Sequence, residues 1–501
     1  MADLGLAPAR AAFSGRTFLR PASAWDWTCA APLLILAILL FARPGLPLDD
    51  AYITLHNARA LLAGGTDPVY AGSTALTGAT SAVHLVLIAI LGLAMPLELA
   101  SKFVTLAAIL LYAAGLIVLL RRLQCPPAAR AILLITGLMV GYMPYHLLNG
   151  LESGLAVAAI VWGLVLIDSK WLPLLCGTMP FVRPELAFLA APLFFYRCWL
   201  DRRDLRRLVV NGALALAAAS PWLILYTVYT GWPIPNTGGA KVAFFAEATL
   251  GWRARWEILL GVVISCLFGP LWLSIPALAR RPAGLGALVF LICWIGLTAL
   301  VFPGGLHHNW FRYVSMILPV LLLGWAIIFA RKAAWHPPLL ALLLGWTLFT
   351  GATGVRIYLD RSHTEALDRA AQSIDTKLPR DSVILVHDAG YLAWALPGHR
   401  LVDVVGLKSA ESMTWHRRYT AQTGNRDVAL NGIANGAKAQ YLVALADPPR
   451  FWGGLALALK RSGWTLQPLS PVKDYEYVVY RIDPPGRTVP DTGNVAPQRA
   501  R

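Results

Sequence analysis

The sequence predicts an α-helical polytopic membrane protein with about eleven transmembrane helices, additional juxtamembrane helices and a C-terminal extracytoplasmic α/β domain. Three observations predict it. Hydrophobic residues make up 57% of the 501 and charged residues only 14%, whereas a soluble domain carries about 25% charge. Apolar runs long enough to cross a bilayer recur through the first two thirds of the chain. From about residue 355 the pattern changes to short apolar runs alternating with polar helical stretches. The length alone would hold three or more soluble domains at roughly 100–200 residues each, but the composition excludes them. Disorder is excluded because a solvated chain cannot expose this much apolar surface. A disulfide-stapled scaffold is excluded by six Cys in 501 residues. The net charge of +16 would suggest nucleic acid in a soluble chain. Here it reads as the arginines that hold loops in the cytoplasm, with no nucleic-acid partner.

A bilayer core about 30 Å thick asks for about 20 apolar residues per helix. The first such run is 28–48, preceded by Arg10, Arg16 and Arg20. It is too long for a signal peptide and ends in Arg43-Pro44-Gly45 without a small-residue cleavage site, so it reads as a retained anchor. Residues 1–27 are then cytoplasmic, and Asp49-Asp50 emerge on the far side. Further apolar runs lie at 82–95, 103–120, 131–148, 153–167, 171–182, 185–197, 208–229, 257–278, 286–302, 314–330 and 337–354. Basic loops mark the cytoplasmic side: Arg121-Arg122 to Arg130, 197–207, Arg280-Arg281 and Arg331-Lys332. Parity then requires 82–95, only about 14 residues long, to lie flat within an outer loop spanning 49–102. The runs 171–182 and 185–197 read as half-length helices with Arg183-Pro184-Glu185 at their tip. The transmembrane domain covers 28–354. Residues 355–483 form the extracytoplasmic α/β domain, with strands at 382–386, 400–404, 441–443 and 477–480 and helices at 365–374 and 453–462. The last stretch, 484–501, is rich in Pro, Gly and Arg and reads as disordered.

Ionisable residues in or beside a membrane are costly and are functional candidates by default. Here they are Asp49, Asp50, Glu152, Arg183, Glu185, Lys241, His307, His308 and Arg312, nearly all assigned to the outer face. Two adjacent carboxylates repel, which raises one pKa and suits a general base; either Asp49 or Asp50 fits. Arg183 needs an anion, supplied by Glu185 or by a bound phosphate. Glu152 follows a turn at Asn149-Gly150 and alone reads as a loop acid, while Lys241 and Arg312 alone could meet lipid headgroups. Adjacent histidines have no metal-ligand spacing of their own. Nucleotide-binding, zinc-protease and serine-hydrolase motifs are absent from the sequence. A site outside the cell has no access to cytosolic nucleotide sugars, so an activated donor must arrive through the membrane.

At these residues the chain resembles the GT-C membrane glycosyltransferases, which use polyprenyl-phosphate sugars. It looks most like the branch containing the terminal β-1,2-arabinofuranosyltransferase of mycobacterial cell walls. Asp49-Asp50-Ala51-Tyr52-Ile53-Thr54 resembles that branch's acidic opening of the first outer loop, and Thr77-Gly78-Ala79-Thr80-Ser81 its start of a juxtamembrane helix. Asn149-Gly150-Leu151-Glu152, Arg183-Pro184-Glu185, and Pro235-Asn236-Thr237 with Ala240-Lys241 are similar to its later loop motifs. Gly304-Gly305 with Arg312 and Pro319, then Asp388-Ala389-Gly390 and Asp403-Val404-Val405-Gly406-Leu407, follow in order. Three departures stand out: Leu306-His307-His308 replaces an acid, His56-Asn57 stands where Arg-Tyr is usual, and Pro is missing after Ser81.

The resemblance implies an inverting transfer of a sugar, with arabinofuranose the leading candidate, from a polyprenyl-phosphate donor to an extracytoplasmic glycan or glycoprotein. It implies a multi-pass protein of the bacterial inner membrane with a periplasmic C-terminal domain. Asp50, or Asp49, would take the acceptor proton, and the other would raise its pKa or hold a divalent cation. Arg183, Lys241 and Arg312 would face the donor phosphate. Tyr52, Glu152, Glu185, Asn236, His307 and His308 would support the substrates. The alternatives are a lipid-linked sugar flippase or transporter, or a non-catalytic membrane scaffold. A transporter usually shows repeats and a midplane site, and no repeat is visible in the sequence.

Overall fold

A computed structural model describes residues 30–331, 336–446, 452–473 and 476–486. Arg10, Arg16, Arg20, the rest of 1–27, Lys332 and all but the first residues of 484–501 lie outside the described residues. The chain divides into two compact units: Met1–Leu46, Thr80–Thr227 and Leu250–Asp360 form the first, and Pro47–Ala79, Val228–Thr249 and Arg361–Arg501 the second.

The first unit is helical. Among the described residues, Leu97–Arg122, Leu205–Thr230, Pro282–Val301 and the stretch His336–Lys377 are long and apolar enough to cross a membrane. Two further pairs, Trp252–Ser265 with Gly269–Leu278 and Pro303–Ser315 with Leu318–Phe329, pass the same test as bent units, at 106° and 46°. Shorter apolar helices are Ala30–Ala42, Ala82–Gly92, Pro127–Met139, Ser153–Val165 and Leu172–Val182. Among the described residues the apolar runs of the sequence fall on helices, but 28–48 and 153–167, read as full crossings, give only the 13-residue helices Ala30–Ala42 and Ser153–Val165, and two further runs are bent or broken. The run 257–278 bends where Leu267 takes φ +62° and Gly269 φ +46°, just before Pro270. The run 131–148 breaks after Met139, where Gly141 at φ +54° and Pro144 interrupt the helical hydrogen bonds. Leu34, Ile38, Ile224, Ile292 and Phe349 are exposed, as side chains facing lipid must be.

Leu172–Val182 ends because Arg183 precedes a proline. The pyrrolidine ring disfavours helical angles at the preceding residue, and Arg183 is extended at φ −155°, ψ 136°. Pro184–Leu186 makes a 3₁₀ turn, and Ala187–Leu200 carries the chain on. Leu172–Val182 meets Leu205–Thr230 through Gly177, where a Cβ would stand 2.1 Å from the Ala215 carbonyl oxygen.

The second unit is α/β. Its five strands are β1 Val383–Val386, β2 Arg400–Asp403, β3 Tyr441–Leu445, β4 Thr465–Pro468 and β5 Tyr477–Asp483. Their order is β2-β1-β3-β5-β4. β2, β1 and β3 are parallel, with Ile384 opposite both Leu401 and Tyr441, and β5 and β4 are antiparallel. The helices used below are α1 Asp49–Leu62, α2 Thr237–Phe245, α3 Ser362–Lys377, α4 Tyr391–Ala395, α5 Arg426–Ala437 and α6 Gly453–Arg461. Ala366, Leu367, Ala370 and Ile374 form the buried stripe of α3, at helical spacing. They share a core with Ile384, Leu385, Val386, Leu442, Val443 and Val479 of the sheet.

Segments 47–79 and 228–249, which overlap the outer loops 49–102 and 235–255 expected of the membrane domain, belong to this unit. The reason is polar as well as apolar. Val69 O accepts from Leu401 N at 3.1 Å, so the chain after α1 covers the edge strand β2. Ile53, Tyr70, Ala240 and Phe244 join its core.

Candidate active site

The residues singled out in the sequence divide between the two units. Asp49, Asp50, Tyr52, Asn236 and Lys241 lie in the second, and Glu152, Arg183, Glu185, His307, His308 and Arg312 in the first.

In the second unit α1 opens with the two acids in its first turn, where the amide dipoles favour negative charge. Asp49 is buried, and both carboxylate oxygens are taken: Gly390 N donates to Oδ2 at 3.0 Å and Tyr391 N to Oδ1 at 2.6 Å. Asp49 therefore caps α4. Gly390 is required by this approach, since a Cβ there would lie 2.0 Å from Asp49 O and 2.8 Å from Ile53 N. Burial raises the Asp49 pKa well above the ordinary carboxylate range, and Asp388 raises it further, against the two backbone hydrogen bonds. Asp388 goes the other way. Burial would raise it, but His387, His363 and the Tyr477 hydroxyl hold it low, so the pair carries its charge on Asp388.

Asp50 is only partly buried, and Lys241 Nζ on α2 lies 4.0 Å from its Oδ2. Asn236 is the N-cap of α2 and accepts Ala240 N on its carbonyl. Tyr52 is buried, with its ring edge-on to Tyr391 at 4.8 Å and tilted to Trp394 at 6.2 Å. The expectation that either acid could serve as base thus separates: the raised carboxylate, Asp49, is enclosed and bonded, and Asp50 is the one left beside a cation.

The structure adds a clasp that sequence reasoning missed. Lys408, fully buried, donates to Asp67 Oδ2 at 2.7 Å, Asn57 Oδ1 at 2.6 Å and Thr77 O at 3.0 Å, which satisfies all three ammonium hydrogens. Asp67 Oδ1 meets His56 Nε2 at 2.9 Å and accepts from Val69 N and Tyr70 N. Arg59 lies 3.1 Å from His56 Nδ1. Burial would raise Asp67, but His56 and Lys408 together hold it below the ordinary range. Burial lowers both His56 and Lys408. The departure at His56-Asn57 was the available signal: both residues serve this clasp. Asp403, also buried, accepts from Val405 N and Lys408 N at 2.8 Å each, and burial pushes its pKa up to about 6 against those bonds.

In the first unit Glu152, Arg183, Glu185 and Arg312 form one buried network. Arg183 gives Nη1 to Glu152 at 2.8 Å, Nη2 to Glu185 Oε1 at 2.8 Å and Nε to Glu185 Oε2 at 3.3 Å. Arg312 Nη2 also donates to Glu152 Oε1. Two cations meet two anions, as burial demands. The anion that Arg183 needed is therefore supplied by two carboxylates, and Glu152 is more than a loop acid. Arg183 Cζ also stands 5.0 Å over the Tyr313 ring. Arg312 follows three residues with left-handed angles, Asn309 (φ 47°), Trp310 (φ 58°) and Phe311 (φ 65°). Such angles cost roughly 1–2 kcal/mol per residue. His146 holds the turn by meeting Trp310 O at 2.8 Å. His307 is exposed, with Nε2 3.3 Å from Ile258 O, and the His308 ring lies 6.3 Å from Tyr313.

Among the described residues no group of three or more His, Cys, Asp or Glu converges to hold a metal ion.

Comparison with known proteins supports this architecture. A family model described as a domain of unknown function (DUF8728) matches residues 356–485. Comparison of the sequence with curated proteins finds no match. The structure is similar to ArnT from Cupriavidus metallidurans bound to undecaprenyl phosphate, at a TM-score of 0.54 and 15% identity over 91% of this chain and 98% of that chain. The apo state of the same protein gives 0.54 and 14% over 91% and 97%. An oligosaccharyltransferase from Archaeoglobus fulgidus, tethered with an acceptor peptide by a disulfide bond, gives 0.52 and 13% over 91% and 74%. These likenesses define the class by fold: a polytopic membrane protein with the GT-C fold and a small C-terminal sheet domain.

Proposed function

We propose that the protein is an inverting glycosyltransferase of the extracytoplasmic membrane face that takes its sugar from a polyprenyl phosphate. The observation that carries this is the pairing of Asp50 with Lys241 at the start of α1, in a chain with this fold. Asp50 accepts the proton of an acceptor hydroxyl. The hydroxyl oxygen forms a bond to the anomeric carbon while the bond from that carbon to the phosphate oxygen breaks. The electron pair leaves on the phosphate, and one displacement inverts the centre. Lys241, 4.0 Å from Asp50, meets the charge that grows on the leaving phosphate. Asp49 positions α1 through its two amide bonds. Arg183 and Arg312, which the sequence suggested as phosphate ligands, are engaged by Glu152 and Glu185 and organise the first unit. No step requires a metal. ArnT, of similar fold, binds undecaprenyl phosphate, which supports a lipid-linked donor here. Arabinofuranose as the sugar, and a cell-envelope glycan as acceptor, rest on the sequence motifs.

The test is release of polyprenyl phosphate when the purified protein is mixed with polyprenyl-phosphoryl arabinofuranose and an envelope glycan. Removing a general base lowers rates by about 10²–10⁴. Asp50→Asn is expected to fall in that range and Lys241→Ala to reduce turnover as well. Full activity of Asp50→Asn would overturn the assignment. Movement of labelled lipid without turnover would favour a flippase instead.

A further inference from the structure

The second unit contains a groove of about 690 Å³ that the proposed chemistry does not use. One wall is the approach to α5, with Thr420, Thr423, Gly424, Asn425, Arg426 and Asp427. The other wall is the face of α6 carrying Gly454, Ala458 and Arg461, and Phe245 and Ala246 also line it. The volume falls within the range of about 300–1,000 Å³ usual for small-ligand sites.

The wall chemistry narrows the occupant. The Thr423 hydroxyl donates to Tyr419 O at 2.6 Å and takes Asn425 N at 3.4 Å, which leaves one lone pair to accept. The Asn425 side-chain carbonyl accepts Val428 N at 3.1 Å, which leaves its amide NH₂ to donate. Arg461 and Asp427 are joined by two hydrogen bonds, at 2.6 and 2.8 Å, yet both remain partly exposed. The groove thus offers acceptor, donor, acceptor and donor in alternation, and the opposite charges of Asp427 and Arg461 cancel. Arg426 is drawn inward, with Nη2 on Phe244 O at 2.8 Å and its guanidinium 4.7 Å from the Phe244 ring centre. A Cβ built at Gly424 or Gly454 would meet nothing within 4 Å, so a ring can approach the backbone there. An anion would meet the Asp427 carboxylate, a cation would meet Arg461, and an apolar helix would find little beyond Phe245 and Ala458. Vicinal hydroxyls, each both donor and acceptor, match the alternation.

We propose that this groove is a subsite for a neutral linear oligosaccharide of more than one sugar ring. It deepens the glycan-acceptor reading above but is tested without transfer. Binding of maltohexaose and of a linear arabinan hexasaccharide to the full-length protein in nanodiscs would be measured by saturation-transfer NMR, with inorganic phosphate as competitor. At least one hexasaccharide is expected to bind. Gly454→Trp, which fills the groove, and Arg461→Gln, which keeps α6 intact, should each weaken binding about tenfold or more. Binding is measured without any sugar donor, so failure of the transferase reading and failure of this one are separable. Binding of neither hexasaccharide, unchanged binding in Arg461→Gln, or displacement by inorganic phosphate would overturn the proposal.

Discussion

Asp49 and Asp50 are neighbours in sequence with opposite surroundings. The helix turns Asp49 towards the amides of Gly390 and Tyr391 and leaves Asp50 beside Lys241. Asp49→Ala should therefore lower stability, because the buried Gly390 amide loses its acceptor at about 1–3 kcal/mol and the half-buried Tyr391 amide loses its own. Thermal unfolding of the purified protein would show it. Gly390→Ala should be at least as harmful, since its methyl group has no room against Asp49 O. His416 gives a pH-dependent case. It is buried between Val404 O at 2.7 Å and the Thr420 hydroxyl at 2.8 Å, and burial lowers its pKa to about 4. The folded pKa lies below the unfolded value near 6.5. Its contribution is therefore present above about pH 6.5 and declines as pH falls towards 4. Asp403, raised to about 6, works in the opposite sense across part of that window. The comparison must therefore be wild type against His416→Gln, with the variant losing less stability between pH 7 and 4.5. An identical decline in both would refute the role assigned to His416. The sequence showed that two acids mattered here. It could not show which was enclosed, because that depends on the amides of residues far along the chain.

At the scale of elements, the break at Arg183-Pro184-Glu185 was legible because proline constrains its predecessor whatever the tertiary context. The strands β1, β2, β3 and β5 were legible as short, buried apolar runs. β4 was not: only Leu466 is both apolar and partly buried among four residues at the sheet edge, so no alternation marks it. The helix α5 was also missed, because its apolar face is narrow, Ala429, Leu430, Ile433 and Ala434, and the Asn and Gly between them have low helix propensity. The Arg183 network was half legible. Its charged members stood out against apolar surroundings, but not their pairing, since Glu152 and Arg312 are 160 residues apart. Glu152→Gln leaves buried cations with one fewer anion, and breaking such a pair costs about 3–5 kcal/mol. Arg183→Lys should not rescue the site, because an ammonium cannot reproduce the fork that meets two carboxylates. Unfolding midpoints in detergent would test both, and wild-type stability in Glu152→Gln would refute the network's role.

At the scale of the molecule, composition alone established a membrane protein, and the tail was set apart by its change of pattern. What composition could not reveal was that 47–79 and 228–249 join the tail. Those segments are short, and their partners are remote in sequence. The proposed sidedness makes a direct prediction. A cysteine placed at exposed Thr423 should react with a membrane-impermeant maleimide in intact cells, whereas Cys198, beside the arginine-rich loop 197–207, should not. Labelling of both from outside would contradict the assigned orientation.

The clasp between Lys408 and Asp67 joins positions 341 residues apart in sequence order. A ribosome adding about 5–20 residues per second needs tens of seconds to cover that interval. Throughout it, Asp67, Asn57 and the Thr77 carbonyl have been synthesised and their lysine has not. Biogenesis must therefore shelter this polar stretch while the intervening helices are inserted. A nascent chain arrested before Lys408 should be degraded rapidly, even though nearly all of its hydrophobic segments are already made.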